Sequence, residues 1–348
     1  MTEKRLVNKS VPKVAVIIVS YGHDSILRQL LTDIGAQKKN YDKLVVVDNH
    51  PNRKGALVAR ETGLVDIVIE TQNNGFSAGC NIGVKAIEDE VDILFFLNPD
   101  TLPGTNVLDV IRRKQGNYAL TMPLLTLPSG KVNSAGNVVH ISGLSWCAGL
   151  EDDQSSHTKE TKLCVASGAC LAVSVEWWRK LGGMEENYFM YYEDTDFSTR
   201  ALLLGADIGL LPEARVEHYY EYHKGQYKWF YLERNRLIYI IRCWPGKVIA
   251  VLLPLLFVVE ISLWFVAIIQ KRFILKLKAT ISMIKALPFA FHSRLSIQST
   301  RLIGANEFYK TLVSRLDSPA LGLIGNNSAI NNLLSAYYKG AGALLKWL

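Results

Sequence analysis

The chain has 348 residues, of which 49% are hydrophobic and 20% charged, with a formal net charge of +7. That is apolar material for one large domain with an appendage or for two domains, and too little charge for a disordered chain. The basic excess sits beside the most apolar stretch, where residues 222–301 hold 13 Lys or Arg against Glu233 and Glu260; this favours an anionic membrane surface over nucleic acid, for which no binding signature appears.

The run from Val14 to Ser20 is apolar and β-branched throughout, the mark of a strand buried on both faces of a parallel sheet. Helical spacing follows over Ile26 to Ile34. Strands are predicted at Leu44–Val47, stopped by the turn cluster DNHPN, at Val65–Glu70 and at Ile93–Leu97, with a helix over Ala78–Ile87. Strands alternating with helices argue for βαβ units. After Asp100 the rhythm loosens: Tyr118–Met122 reads as a strand, and 123–163, rich in Gly, Ser and Asn, as short strands and a mobile loop. Leu163–Val173 is strand-like, Val175–Leu181 a short helix, Met190–Leu204 a helix and Ile208–Leu211 a strand. A basic, aromatic helix is predicted over Lys228–Cys243, before the strongly apolar Val248–Ile269 and a basic helical tail. Five cysteines without metal-ligand spacing imply reduced, mostly buried thiols. The polar, basic MTEKRLVNKSVPK lacks the long apolar core of a leader, so no export is expected.

In an open α/β sheet, ligands bind beyond the carboxyl ends of the strands. Three predicted strands end there in polar groups: Ser20-Tyr21-Gly22, Asp48-Asn49 and Asn98-Pro99-Asp100. A carboxylate after the second strand suits a base N–H or a ribose hydroxyl; one after the fourth suits a hard divalent cation. Each alone reads equally as a turn former. The segment NNGFSAGCNIG places glycines at i, i+4 and i+8 from Gly75. That is neither a dinucleotide fingerprint nor a phosphate P-loop, but a turn opening a helix whose small face, with Asn81 on it, lies close to the sheet or to a ligand. In FMYYEDTDFSTR, Asp196 and Arg200 are spaced i, i+4 as a structural pair, while Glu193 and Asp194 point about 100° apart, so that one faces a pocket. His218 closes ARVEH, and His223 is the weaker of the two histidines.

Read in order, VIIVSYGH, LVVVDNH, NNGFSAGCNIG, LFFLNPD, ASGAC, FMYYEDTDF and ARVEH resemble the family 2 glycosyltransferases of the GT-A fold, nearest their rhamnosyltransferase-like and galactofuranosyltransferase-like members. The resemblance spans roughly residues 14–218 and implies a Rossmann-like, mostly parallel sheet flanked by helices, as a catalytic domain at 1–225 followed by a helical, membrane-associated region at 226–348. By position it implies that Ser20, Tyr21 and Asp48 contact the nucleoside, and that Gly75 and Asn81 lie near the donor. Asn98 stands at the first place of the family's Asp-X-Asp motif. Asp100 and His218 would bind Mg²⁺ or Mn²⁺, Asp194 in the Glu193-Asp194 pair would be the base, and Arg234 would help hold the diphosphate.

The implied reaction is an inverting transfer from a nucleoside diphosphate sugar, L-rhamnose from dTDP-rhamnose first, to a lipid-linked or polysaccharide acceptor in cell-surface glycan synthesis. Galactofuranose transfer and a non-catalytic, membrane-bound nucleotide-sugar-binding subunit are the alternatives. A nucleotidyltransferase ranks low, because SYGHDS lacks a Gly-rich loop with Arg or Lys. Val248–Ile269 is long enough to span a bilayer, but Pro254, Glu260 and basic flanks on both sides favour a monotopic element at the cytoplasmic face over a single span. A helical pair buried in a homo-oligomer is the third option.

Overall fold

The computed structural model describes residues 11–22, 24–220, 225–324 and 327–347. His23, His223 and the first ten residues of the N-terminal segment lie outside the described residues.

The first part alternates strand and helix: β1 (Val14–Ser20), α1 (Asp24–Gly35), β2 (Lys43–Asp48), α2 (Lys54–Thr62), β3 (Ile67–Glu70), α3 (Phe76–Lys85) and β4 (Ile93–Leu97). All seven residues of β1 are buried, because helices cover both faces of a parallel sheet and leave no polar side to alternate with. The register pairs Ser20 with Asp48 and Ile18 with Leu97, so the polar strand ends fall on one edge.

The second part holds β5 (Thr101–Pro103), α4 (Val107–Lys114), β6 (Leu120–Thr126), β7 (Val132–Ser134), β8 (Asn137–Val139), β9 (Ser145–Cys147), β10 (Thr161–Lys162), β11 (Cys170–Ser174), α5 (Val175–Leu181), α6 (Glu193–Leu203) and β12 (Ile208–His218). The main sheet has ten strands, with path order β10-β12-β6-β11-β4-β1-β2-β3; β8 and β9 form a separate ribbon. β11 is the inversion that matters. It runs antiparallel to β4 with Cys170 opposite Leu97, so the residues just before β11 lie beside those just after β4. His218, at the end of β12, pairs with Thr101. Topology alone thus gathers 98–101, 167–169 and 218.

Three expectations change. The Leu163–Val173 strand is confined to Cys170–Ser174, and β12 runs seven residues beyond Leu211 through a register break between Leu211 and Arg215. Helix α6 begins at Glu193, three residues late, because Phe189, Tyr191 and Tyr192 take left-handed backbone angles (φ 64–72°) that no helix tolerates.

Helices α7 (Gly225–Cys243), α8 (Gly246–Ile269), α9 (Phe273–Ser299), α10 (Ala305–Tyr309) and α11 (Ser328–Leu345) complete the fold. Their core is shared with the sheet side: Tyr188, Tyr192 and Ile141 pack with Ile238, Tyr239 and Trp244. Among the described residues α8 is the one helix long and apolar enough to cross a membrane.

Candidate active site

The β1–β2 end of the edge is closed by its own backbone. Asp48 is fully buried; one oxygen accepts the His50 N–H at 2.9 Å and the other the Ala56 N–H at 2.8 Å. Its carbonyl takes the Arg53 guanidinium at 2.9 Å. Gly55 is required there, since a Cβ would stand 2.7 Å from Ser20 Oγ. The Ser20 hydroxyl is buried and has no hydrogen-bond partner. Tyr21 is 48% exposed and meets the His50 ring edge-on at 4.6 Å.

Gly75 opens α3 with φ +96°, and a Cβ there would fall 2.2 Å from the Phe189 carbonyl oxygen. That carbonyl accepts the Phe76 N–H at 2.7 Å. Glycine therefore lets the start of α3 dock on the strained turn that delivers Glu193-Asp194. Asn81 reinforces this junction: its Oδ1 accepts the Met184 N–H at 3.0 Å and its Nδ2 donates to the Met184 carbonyl at 2.9 Å and to Glu186 at 2.8 Å. The amide finds its partners within the protein.

At the β4–β12 end, Asp100 and His218 are both buried, with Asp100 Oδ1 3.4 Å from His218 Nε2. His218 Nδ1 lies 2.9 Å from Asn133 Oδ1 and donates to it. That fixes the ring orientation and turns Nε2 towards Asp100. Nε2 makes no hydrogen bond among the described residues. Asn98 is half-buried and shapes the turn, its N–H on the Ala169 carbonyl (3.0 Å) and its carbonyl accepting the Thr101 hydroxyl (2.7 Å).

Asp194 meets the same turn from the other side. Its Oδ2 accepts the Gly168 N–H at 2.9 Å and the Asn137 amide at 3.4 Å, and its Oδ1 accepts the Thr195 N–H at 2.6 Å and the Thr195 hydroxyl at 3.2 Å. The residue stays half-buried. Glu193 points inward with one oxygen unpartnered; burial, then the neighbouring Asp194 charge, push its pKa up to about 8. Burial raises Asp194 as well, against the pull of the Gly168 and Thr195 N–H groups. Of the two, Asp194 is the group that meets solvent and is held by donors suited to a carboxylate.

Behind them Asp196 pairs with Arg200 at 2.6 Å and Arg242 at 2.8 Å; burial works against its charge, but the two guanidinium groups hold its carboxyl below the usual range. Arg234 donates to the Asn187 carbonyl at 2.8 Å and to Ser282 of α9 at 3.0 Å, bracing the turn from α7. Asn235, fully buried, donates to the carbonyls of Tyr188, Met190 and Tyr191 at 2.8–3.0 Å and so holds the left-handed backbone in place.

The fold therefore brings Asn98, Asp100, Asp194 and His218 to one place. Ser20, Tyr21 and Asp48 stand one and two strands away, about 5–10 Å along the edge. Asn81 and Arg234 brace the turn between them. Sequence reasoning missed Asn133, Asn137, Gly168 and Asn235. The VNSAGN segment carries a readable signal, two amides four residues apart among small residues; Asn235, inside a basic aromatic helix, carries none.

A family model described as "Glycosyltransferase like family 2" matches residues 12–237. The chain is 25% identical over 221 residues to the rhamnosyltransferase WbbL of Escherichia coli (strain K12), covering 59% of this chain and 83% of the relative. It is 24% identical over 204 residues to the low-salt glycan biosynthesis hexosyltransferase Agl10 of Haloferax volcanii, covering 56% of this chain and 63% of that one. Among solved structures, GalNAc-T7 with UDP, GalNAc and Mn²⁺ superposes with a TM-score of 0.54 at 16% identity, over 70% of this chain and 51% of that one. Residues 1–349 of S. aureus TarS in complex with UDP-GlcNAc superpose with a TM-score of 0.50 at 14% identity, over 96% and 89%. These structural likenesses show the GT-A fold. With that fold and a match over 12–237, the chain belongs to glycosyltransferase family 2 and is a nucleotide-sugar transferase.

Proposed function

We propose that the chain is an inverting, divalent-cation-dependent transferase that moves a sugar from a nucleoside diphosphate to a lipid-linked glycan at the cytoplasmic face of a membrane, in cell-surface glycan synthesis. L-Rhamnose from dTDP-rhamnose is the first donor to test, supported by the named activity of WbbL. In this reading residues 1–225 carry the chemistry and 226–348 the membrane-facing part.

The observation that carries the reading is the Asp100–His218 pair, with the imidazole Nε2 left without a hydrogen bond, beside the half-buried Asp194. An aspartate oxygen suits Mg²⁺ or Mn²⁺, and an imidazole nitrogen beside it favours Mn²⁺ of the two. Among the described residues no cluster of three or more His, Cys, Asp or Glu forms there, so Asp100 and His218 are the residues that would hold the cation. When bound, the cation offsets negative charge on the departing nucleoside diphosphate. Asn133 holds the His218 ring with Nε2 turned towards Asp100. Asp194 takes the proton from the attacking acceptor hydroxyl, which is too poor a nucleophile to react unaided. A single base placed across from the leaving group gives in-line displacement with inversion. Glu193, holding its proton below about pH 8, keeps a second charge away from Asp194.

Titration calorimetry with a panel of nucleoside diphosphate sugars tests the donor half. The reading expects binding that needs Mg²⁺ or Mn²⁺ and that His218→Ala weakens only when the cation is present. Cation-independent binding, equal in wild type and His218→Ala, would overturn it.

A further inference from the structure

By composition α8 passes for a membrane span, yet its middle is tied to the catalytic unit. Glu260 is the fifteenth of its 24 residues. It pairs with Arg236 of α7 and, at 2.7 Å, with Lys276 of α9, which also pairs with Glu233 of α7. Arg236 and Lys276 are 1% and 2% exposed. Arg236 donates onward to the Ser142 carbonyl at 3.0 Å, and its neighbour Asn235 holds the turn before Glu193. A crossing α8 would carry this network to the bilayer midplane and pull the site's own support into hydrocarbon, where charged and irregular backbone groups are costly.

Another side of α8 is uncovered. Phe257, Ile261 and Phe265 recur at helical spacing and are 42–66% exposed. Round the 270–272 turn, Ile274, Ile281 and Ile284 of α9 continue the apolar surface at 45–61% exposure. At the same turn a cleft of about 140 Å³ is lined by Lys271, Arg272 and Lys278, with Gln226 across it. None of these three cations forms an ion pair among the described residues. An apolar plane rimmed by unpaired cations complements acyl chains under anionic headgroups. A second copy fits poorly, since it brings the same cations and a net charge of +7 to the contact.

We propose that the α8–α9 hairpin lies flat in one leaflet of an anionic bilayer, with the Lys271/Arg272/Lys278 cleft on a lipid phosphate, and holds the chain on the membrane without crossing it. This deepens the lipid-acceptor reading above and does not depend on which sugar is moved.

Vesicle flotation of the purified full chain, without nucleotide sugar, tests it. Binding to phosphatidylcholine vesicles containing phosphatidylglycerol exceeds binding to pure phosphatidylcholine by about tenfold or more. The combined Lys271→Glu, Arg272→Glu and Lys278→Glu variant loses that excess, and Phe257→Ser with Phe265→Ser loses binding to both vesicles, while the melting curves stay at wild type. Substituting exposed residues leaves the core intact, so the melting curve separates lost docking from lost folding. In a second arm, Lys247→Cys and Lys271→Cys, at the two ends of α8, are both modified from the outside by an impermeant maleimide, read by mass spectrometry. Modification of one end alone means a span and overturns the proposal, as does a stable dimer by light scattering that binds neither vesicle. Intact vesicle binding without sugar transfer speaks against the transferase reading alone.

Discussion

The two ends of the sheet's carboxyl edge treat their polar groups in opposite ways. At the β1–β2 end Asp48 is buried and both its oxygens are taken by backbone N–H groups of its own loop. At the β4–β12 end His218 keeps a ring nitrogen without a hydrogen bond and Asp194 is only partly buried. A buried polar group left unpaired costs stability, so it persists where something else completes it. In the proposed reading the first end, its unpartnered Ser20 hydroxyl apart, builds the floor and the second carries the chemistry.

The widest separation between the ends comes from Asp194→Asn. Its turnover falls roughly 10²–10⁴-fold, read in a steady-state assay, while donor binding by calorimetry stays near wild type. Next in size, Asp48→Ala removes the acceptor of two loop N–H groups and costs roughly 1–3 kcal/mol of stability. It appears as a lower Tm. A raised donor Kd at unchanged Tm would instead move Asp48 into donor contact, as the family resemblance implies, and would break the comparison.

A smaller effect has a definite sign with pH. Between its ordinary 4.5 and about 8, Glu193 keeps in the folded chain a proton that the unfolded chain has lost. Stability falls as pH rises across that window and levels off above it. Glu193→Gln escapes this penalty, so its stability advantage over wild type is larger at pH 8 than at pH 5, on the order of 1 kcal/mol or more. An equal advantage at both pH values would remove the raised proton affinity. The smallest change is Ser20→Ala. Removing a buried hydroxyl without a partner leaves the unfolding free energy within about 0.5 kcal/mol of wild type. A severalfold rise in donor Kd would mark the hydroxyl as a ligand contact; no rise would class it with the floor.

The sheet was readable from sequence where residues speak locally. The continuous apolar runs of β1, β2 and β4 announce buried parallel strands, and the polar groups at their ends announce the edge. Asp100, Asp194 and His218 could be picked from their order along the chain. Their convergence follows from β11, which enters antiparallel beside β4, and no local pattern states that. The strained turn was unreadable for a related reason: FMYY gives no warning of three left-handed residues, because Asn235, some 45 positions on, holds them. β7 and β8 are three residues each, too short for a period, so Asn133 and Asn137 were missed. On α9 the sequence showed the basic residues; which apolar side stays uncovered depends on what packs against α7.

Asp194 decides the account most directly. Purified full chain is supplied with Mn²⁺ or Mg²⁺, dTDP-rhamnose and then other nucleoside diphosphate sugars, and membranes as acceptor source, with Asp194→Asn run in parallel. The account predicts cation-dependent sugar incorporation into lipid by the wild-type chain, and none above background by a variant that still binds the donor. Near-normal incorporation by Asp194→Asn would contradict it.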